Sequence, residues 1–185
     1  YEDLWEGFPG QRSAETRRRV CWEIAMAGCY QTNGETTRTG TGEGEDSGGG
    51  WISGRGDESM TMFDTIIPMV EFFESFDWWR LKPDPGALLS YDPGRTDGLG
   101  YFYPDGRAAA DRPAQILSSA AERLTVVYLP CGGRARVSLA GSGPYRIEQW
   151  DPRTGAHQPL DGTSAKSWTS PWTGGPQDVV YLITG

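Results

Sequence analysis

Apolar positions recur with helical spacing in the first part of the chain and with strand spacing in the second. Ser13 can cap a helix in which Glu15 complements the dipole, and Val20, Trp22, Ile24 and Ala27 carry that helix to Gly28. Its arginines, Arg17, Arg18 and Arg19, are expected to face water. Cys29-Tyr30-Gln31-Thr32 is a short strand candidate, and Asn33 to Gly50 is a polar, glycine-rich loop carrying Glu35, Glu43, Glu45 and Asp46. So long an acidic loop is functional or mobile. From Asp57 the helical period returns. Met60, Phe63, Ile67 and Val70 make one stripe, and Met62, Ile66, Met69 and Phe73 widen it, which predicts a helix packed on two sides or against a broad surface. Pro68 lies inside the pattern, where it removes a hydrogen bond and is expected to kink the helix.

Beyond Trp78-Trp79 and the Pro83/Pro85 punctuation the period changes to two, most clearly in Arg134-Ala135-Arg136-Val137-Ser138-Leu139. Further strands are predicted at Gln115–Ser118, Leu124–Leu129, Tyr145–Trp150 and Val179–Ile183, with a turn at Asp151-Pro152-Arg153-Thr154-Gly155. Short strands at this spacing suggest an antiparallel sandwich with Ala135, Val137 and Leu139 turned inward. Helix, strand, long loop, helix and then consecutive strands is an α/β order followed by an all-β one, with the change near Asp77 to Pro85.

Composition narrows the functional classes. The formal charge of −8 would repel a phosphate backbone, and Arg17-Arg18-Arg19 is too short a run to overcome that, so nucleic acid is not an expected partner. No apolar stretch approaches the roughly 20 residues that span a bilayer, so no membrane partner is expected either. Cys21, Cys29 and Cys131 lack CxxC spacing and are expected to be free, mostly buried thiols. Nothing in the sequence calls for a cofactor or a bound metal. Glu43, Glu45 and Asp46 lack an EF-hand pattern and read as a solvated loop before they read as a calcium site. The chain opens in Tyr1-Glu2-Asp3-Leu4-Trp5, which reads as the middle of a motif.

Several strings, in order along the chain, resemble the apiosidase-like bacterial glycoside hydrolases. Tyr1-Glu2, Arg17-Arg18-Arg19 and Trp22-Glu23-Ile24-Ala25-Met26-Ala27-Gly28 look like that family's seventh barrel unit. Trp51-Ile52-Ser53-Gly54-Arg55-Gly56-Asp57, Met69-Val70-Glu71-Phe72-Phe73 and Trp78-Trp79 look like its eighth unit and exit. Val127-Tyr128-Leu129-Pro130 and Trp150-Asp151-Pro152-Arg153-Thr154-Gly155 look like its β-sandwich, a domain that carries a collagen-binding label by similarity. The resemblance implies the last βα units of a TIM barrel over residues 1–78 and an antiparallel β-sandwich over 79–185. It implies a secreted protein, extracellular or periplasmic.

Glycoside hydrolysis uses two carboxylates from the ends of different barrel strands. The resemblance puts the main pair upstream of this chain, with Glu2 as the one candidate within it. Gln31, Asn33, Glu35, Trp51 and Arg55 are then the contribution to a carbohydrate substrate site, where amide and carboxylate groups meet hydroxyls and an indole covers a sugar ring. Trp51 serves equally well as a packing anchor, and Asp57 reads first as a helix cap paired with Arg55. His157, the one histidine, is expected at the surface, and Trp78 and Trp79 are expected to pack the two architectures together. The barrel segment would be ordered only against the upstream part of the same protein or a bound companion chain. The alternative is a non-catalytic sandwich module that binds carbohydrate or matrix protein.

Overall fold

A computed structural model describes residues 14–30, 62–94, 113–141, 143–174 and 177–185, with the backbone alone described at 14–17 and 62–65. Helices α1 (Ala14–Met26) and α2 (Met62–Glu74) precede strands β1 (Lys82–Pro83), β2 (Leu88–Asp92), β3 (Gln115–Ser119), β4 (Leu124–Leu129) and β5 (Arg134–Ser138). Then follow β6 (Tyr145–Trp150), β7 (His157–Thr163), β8 (Ser167–Thr169) and β9 (Val179–Thr184). One six-stranded sheet has the order β1-β3-β4-β9-β6-β7 and a three-stranded sheet the order β2-β5-β8. Every pairing among the described strands is antiparallel.

The two sheets enclose one core. Ile116, Val127, Leu129, Ile147, Val179 and Ile183 of the larger sheet face Ala135, Val137, Leu139 and Trp168 of the smaller side. The alternation in β5 therefore gives the inward set predicted for Ala135, Val137 and Leu139, all buried. β4 and β9 do not alternate, because both faces of the larger sheet are covered. Their runs Leu-Thr-Val-Val-Tyr-Leu and Val-Val-Tyr-Leu-Ile-Thr are buried almost throughout, as a continuous apolar run requires.

The second face of the larger sheet carries the helices. Leu117, Leu124, Val126, Tyr128, Trp150, Val180 and Leu182 pack against Trp22, Met26, Met69, Phe72 and Phe73. Trp22 lies nearly parallel to Tyr128 at 5.4 Å, and Phe72 meets Trp150 edge-on at 5.3 Å. Each fully buried ring of this kind stabilises the fold by about 1.5–3 kcal/mol. The layers are thus helices, six-stranded sheet and three-stranded sheet, and no helix among the described residues is long and apolar enough to cross a membrane.

Four expectations are corrected. Arg18 and Arg19 do not face water: they are 2% and 5% exposed, because Arg18 shares the i, i+4, i+8 stripe of Trp22 and Met26 and finds a buried carboxylate, Asp178, on the sheet. Cys29 is exposed, beside the half-buried Cys21 and the buried Cys131, because it follows the end of α1, where Gly28 adopts φ +71°. Cys29 and Tyr30 form no strand, and Gln31 and Thr32 lie outside the described residues. Trp79 is 62% exposed, so of the tryptophan pair only Trp78 packs on the core.

On α2 the buried face is Met69, Phe72 and Phe73, while Ile67 and Val70 of the predicted first stripe are 52% and 43% exposed. Pro68 sits within an unbroken helix and is buried. Of the larger sheet's edge strands, β1 contains Pro83, and β7 contains Pro159, Asp161 and Gly162.

Candidate functional site

All the residues expected to touch substrate lie outside the described residues: Glu2, Gln31, Asn33, Glu35, Trp51 and Arg55, with Asp57 and the acidic loop. What the structure describes is the helix–sheet junction and the surface beside it.

At the junction, α1 delivers Arg18 to Asp178, the residue immediately before β9. Arg18 Nη2 donates to Asp178 Oδ1 at 2.7 Å and Arg18 Nε to Oδ2 at 3.2 Å, a two-bond fork between fully buried groups. The Tyr128 hydroxyl donates to the same Oδ2 at 3.0 Å, and Arg19 Nε donates to the Pro130 carbonyl at 3.3 Å. Burial and the neighbouring Asp178 charge push the Tyr128 phenol well above its ordinary range, so it stays protonated and donates. Three hydrogen bonds, two from Arg18 and one from Tyr128, fix the carboxylate in position.

Next to this cluster, the turn between β6 and β7 forms as its residues predict. Asp151 Oδ1 accepts from the Arg153 backbone N–H at 2.9 Å, the Asx arrangement that starts a turn. The Gly155 N–H donates to the Asp151 carbonyl at 2.9 Å, with Gly155 at φ +71°, where a side chain would be strained. Arg153 also grips the Asp151 carboxylate at 2.6 and 2.9 Å. Burial raises the Asp151 pKa, but the Arg153 hydrogen bonds overcome it and leave the carboxyl below its ordinary value. The turn lies over α2: a Cβ on Gly155 would meet Glu71 and Pro68. That contact explains why Pro68 is buried.

His157 opens β7 at the surface, as expected, but it is not isolated. Its ring stacks on Trp150 at 4.1 Å and 11°, and its Nδ1 lies 3.5 Å from Glu148, which also accepts from Trp150 Nε1 at 3.3 Å. Beside it an open depression of about 220 Å³ is lined by Gln149, Asp151, Ala156, His157 and Gln158. Sequence reading passed over Gln149 and Gln158; the signal present was their place flanking a two-ended turn motif, and pairing them needed the register. Elsewhere, the half-buried Trp78 meets the exposed rings of Tyr30 and Trp79 edge-on, at 73° and 82°, so these three rings make no flat platform.

Solved structures that share this fold include two glycoside hydrolases. One, described as a glycoside hydrolase, superposes with a TM-score of 0.64 at 13% identity, over 100% of this chain and 40% of its own. The other, a glycoside hydrolase family 5 protein from Bacteroides vulgatus ATCC 8482, gives 0.66 at 15% identity, over 100% of this chain and 39% of its own. The chain thus spans about 40% of the length of either, and at such identities the likeness is one of fold. No family model matches the sequence, and neither does any curated protein.

Proposed function

We propose that this chain is the C-terminal part of an apiosidase-like glycoside hydrolase that acts on plant or microbial polysaccharide or oligosaccharide. Residues 1–78 complete a TIM barrel and supply part of its sugar site, and residues 79–185 form the β-sandwich that buttresses it. The observation that carries this reading is the two-sidedness of α2. Met69, Phe72 and Phe73 are spent on the sandwich, yet Ile67 and Val70 remain exposed on the other side. A helix apolar on two sides calls for a second packing surface, which the rest of a barrel would supply. The fold shared with part of larger glycoside hydrolases supports the same reading. Gln31, Asn33, Glu35, Trp51 and Arg55 are the substrate-binding residues it assigns, and the principal carboxylates lie in the upstream part of the same protein or a bound companion chain.

The alternative, a free binding module, is less well supported, since the buried Arg18–Asp178 pair ties α1 to the sandwich. The test is hydrolysis of arabinan-, xylan- and cellulose-derived oligosaccharides, measured by release of reducing ends. A longer protein that includes the upstream barrel should be active and the 185-residue chain inactive. Replacing Ile67→Asp in the longer protein should abolish the activity by disturbing the barrel contact. Hydrolysis by the 185-residue chain alone, or full activity of the Ile67→Asp protein, would refute the assignment.

A further inference from the structure

The outer face of the three-stranded sheet carries charge that the fold does not use. Strict alternation in β5 turns Ala135 and Val137 into the core, so Arg134 and Arg136 leave on the opposite side, where both are exposed. The register puts Ser90 of β2 and Thr169 of β8 on either side of Arg136, and Asp92 of β2 beside Arg134. The neighbours of these residues fix the face, since Tyr91 and Trp168 pack on the core. Across the outer surface, Arg136 Nη2 donates to the Ser167 hydroxyl at 3.3 Å.

These two guanidinium groups lack the partner that Arg18, Arg80 and Arg153 each have in a carboxylate. Among the described residues no carboxylate lies within ion-pair distance of Arg134 or Arg136. Asp92 is the one carboxylate among the strand residues of this face. Residues two apart on a strand stand roughly 6.5 Å from each other, so the pair makes a short cationic row. Hydroxyl side chains of the two flanking strands border it.

The ligand chemistry follows from this arrangement. A planar guanidinium pairs through two bonds with a carboxylate, where an ammonium would offer only a point charge. The hydroxyls of Ser90, Ser167 and Thr169 can donate to or accept from neutral oxygens beside that carboxylate. A polymer that carries carboxylates and hydroxyls along its length meets both sets. At the Arg134 end, where Thr173 pairs with Gly133, the adjacent Trp172 is 47% exposed and brings an indole to the margin, a surface suited to the apolar side of a sugar ring. The chain's formal charge of −8 opposes a polyanion at long range, but that field is largely screened beyond about 8 Å at physiological ionic strength, which leaves the local row to decide.

We infer that the outer face of β2, β5 and β8 docks a carboxylated glycan, a linear uronic-acid chain whose carboxylates are gripped by Arg134 and Arg136. Choosing a glycan over another carboxylated polymer rests on the hydrolase reading; the charge and position of the face do not. The Nε–Hε resonances of Arg134 and Arg136 would be followed in the 15N-labelled 185-residue chain during titration with oligogalacturonate, with cellohexaose, a heparin-derived hexasaccharide and poly-glutamate as comparisons. A saturable shift of both arginines with oligogalacturonate and none with neutral cellohexaose is expected, together with about tenfold or greater weakening in the Arg134→Gln/Arg136→Gln variant. Both side chains are exposed, so the variant should melt as the parent does; if it does not, the arginine shifts of the parent chain decide alone. No saturable shift with oligogalacturonate, or unchanged affinity in a folded double variant, would overturn the inference. So would tighter binding of poly-glutamate, which would make the partner an acidic polypeptide, or of the heparin fragment, which would make sulfate the group recognised. An inactive longer protein would defeat the hydrolase reading while leaving these titrations to stand or fall separately.

Discussion

One face of the six-stranded sheet is buried by apolar side chains, the other by aromatic rings around an ion pair. Toward the smaller sheet lie Ile116, Val127, Leu129, Ile147, Val179 and Ile183, with polar groups kept to the rim, where the Tyr145 hydroxyl reaches the Ala140 carbonyl and the Tyr181 hydroxyl reaches Thr173. Toward the helices, Trp22, Phe72 and Trp150 surround a junction where Arg18 and Asp178 are closed off from water. The difference teaches that the two faces answer to different physics. The first is non-directional and depends on filled volume. The second has a geometric requirement, since a buried charge without its partner costs far more than the pair contributes.

The largest expected effect follows from that asymmetry. Asp178→Ala strands the Arg18 guanidinium and should lower unfolding free energy by about 3–5 kcal/mol, read from urea denaturation. The joint replacement Arg18→Met with Asp178→Leu removes the Arg18 charge with its partner and should cost less, the remaining loss coming from Arg19, whose Nη2 lies 3.9 Å from Asp178 Oδ1. Equal losses from the two would mean that packing, and not charge, holds the helices. On the other face, Leu129→Ala should cost about 2–5 kcal/mol, from lost transfer energy and the cavity left behind. Unlike the Asp178 change, it has no second-site charge removal that rescues it.

Alkaline pH sharpens the comparison further. The folded-state pKa of Tyr128 lies above the ordinary value of 10.0, so the unfolded chain loses that proton first. The stability linked to it is full below pH 10.0 and declines as pH rises through and beyond that value. Tyr128→Phe should flatten the alkaline decline of the urea midpoint in part, leaving the share due to Tyr91 and Tyr181, whose pKa values burial also raises. The smallest effect is expected from Glu122→Ala, which removes the exposed ion pair with Arg80 and should leave the thermal melt unchanged.

These contrasts also explain what could be read without coordinates. Strands β3, β4, β5, β6 and β9 were legible because their apolar runs or alternations are local and bounded by turn residues. Short edge strands carry no such run: β8 has three residues, and β7 includes a proline and a glycine. The burial of Arg18 was illegible for a different reason, since its partner stands 160 residues away and a triplet of arginines ordinarily faces solvent. At the β6–β7 turn the obstacle was register and not distance. Asp151 to Gly155 announced the turn itself, whereas the pairing of Gln149 with Gln158 depends on a register that composition does not fix. The residues assigned to the sugar site, from Gln31 to Arg55, rest on the resemblance and lie outside the described residues.

The ends of the larger sheet bear on how this protein meets other molecules. Its outermost strands are a two-residue piece ending in Pro83 and a strand interrupted by Pro159 and Gly162, so neither edge offers an uninterrupted row of backbone donors and acceptors. At these two edges a neighbouring chain finds no unbroken template on which to lay a further strand. In concentrated solution, edges broken in this way resist runaway stacking of the larger sheet into fibres.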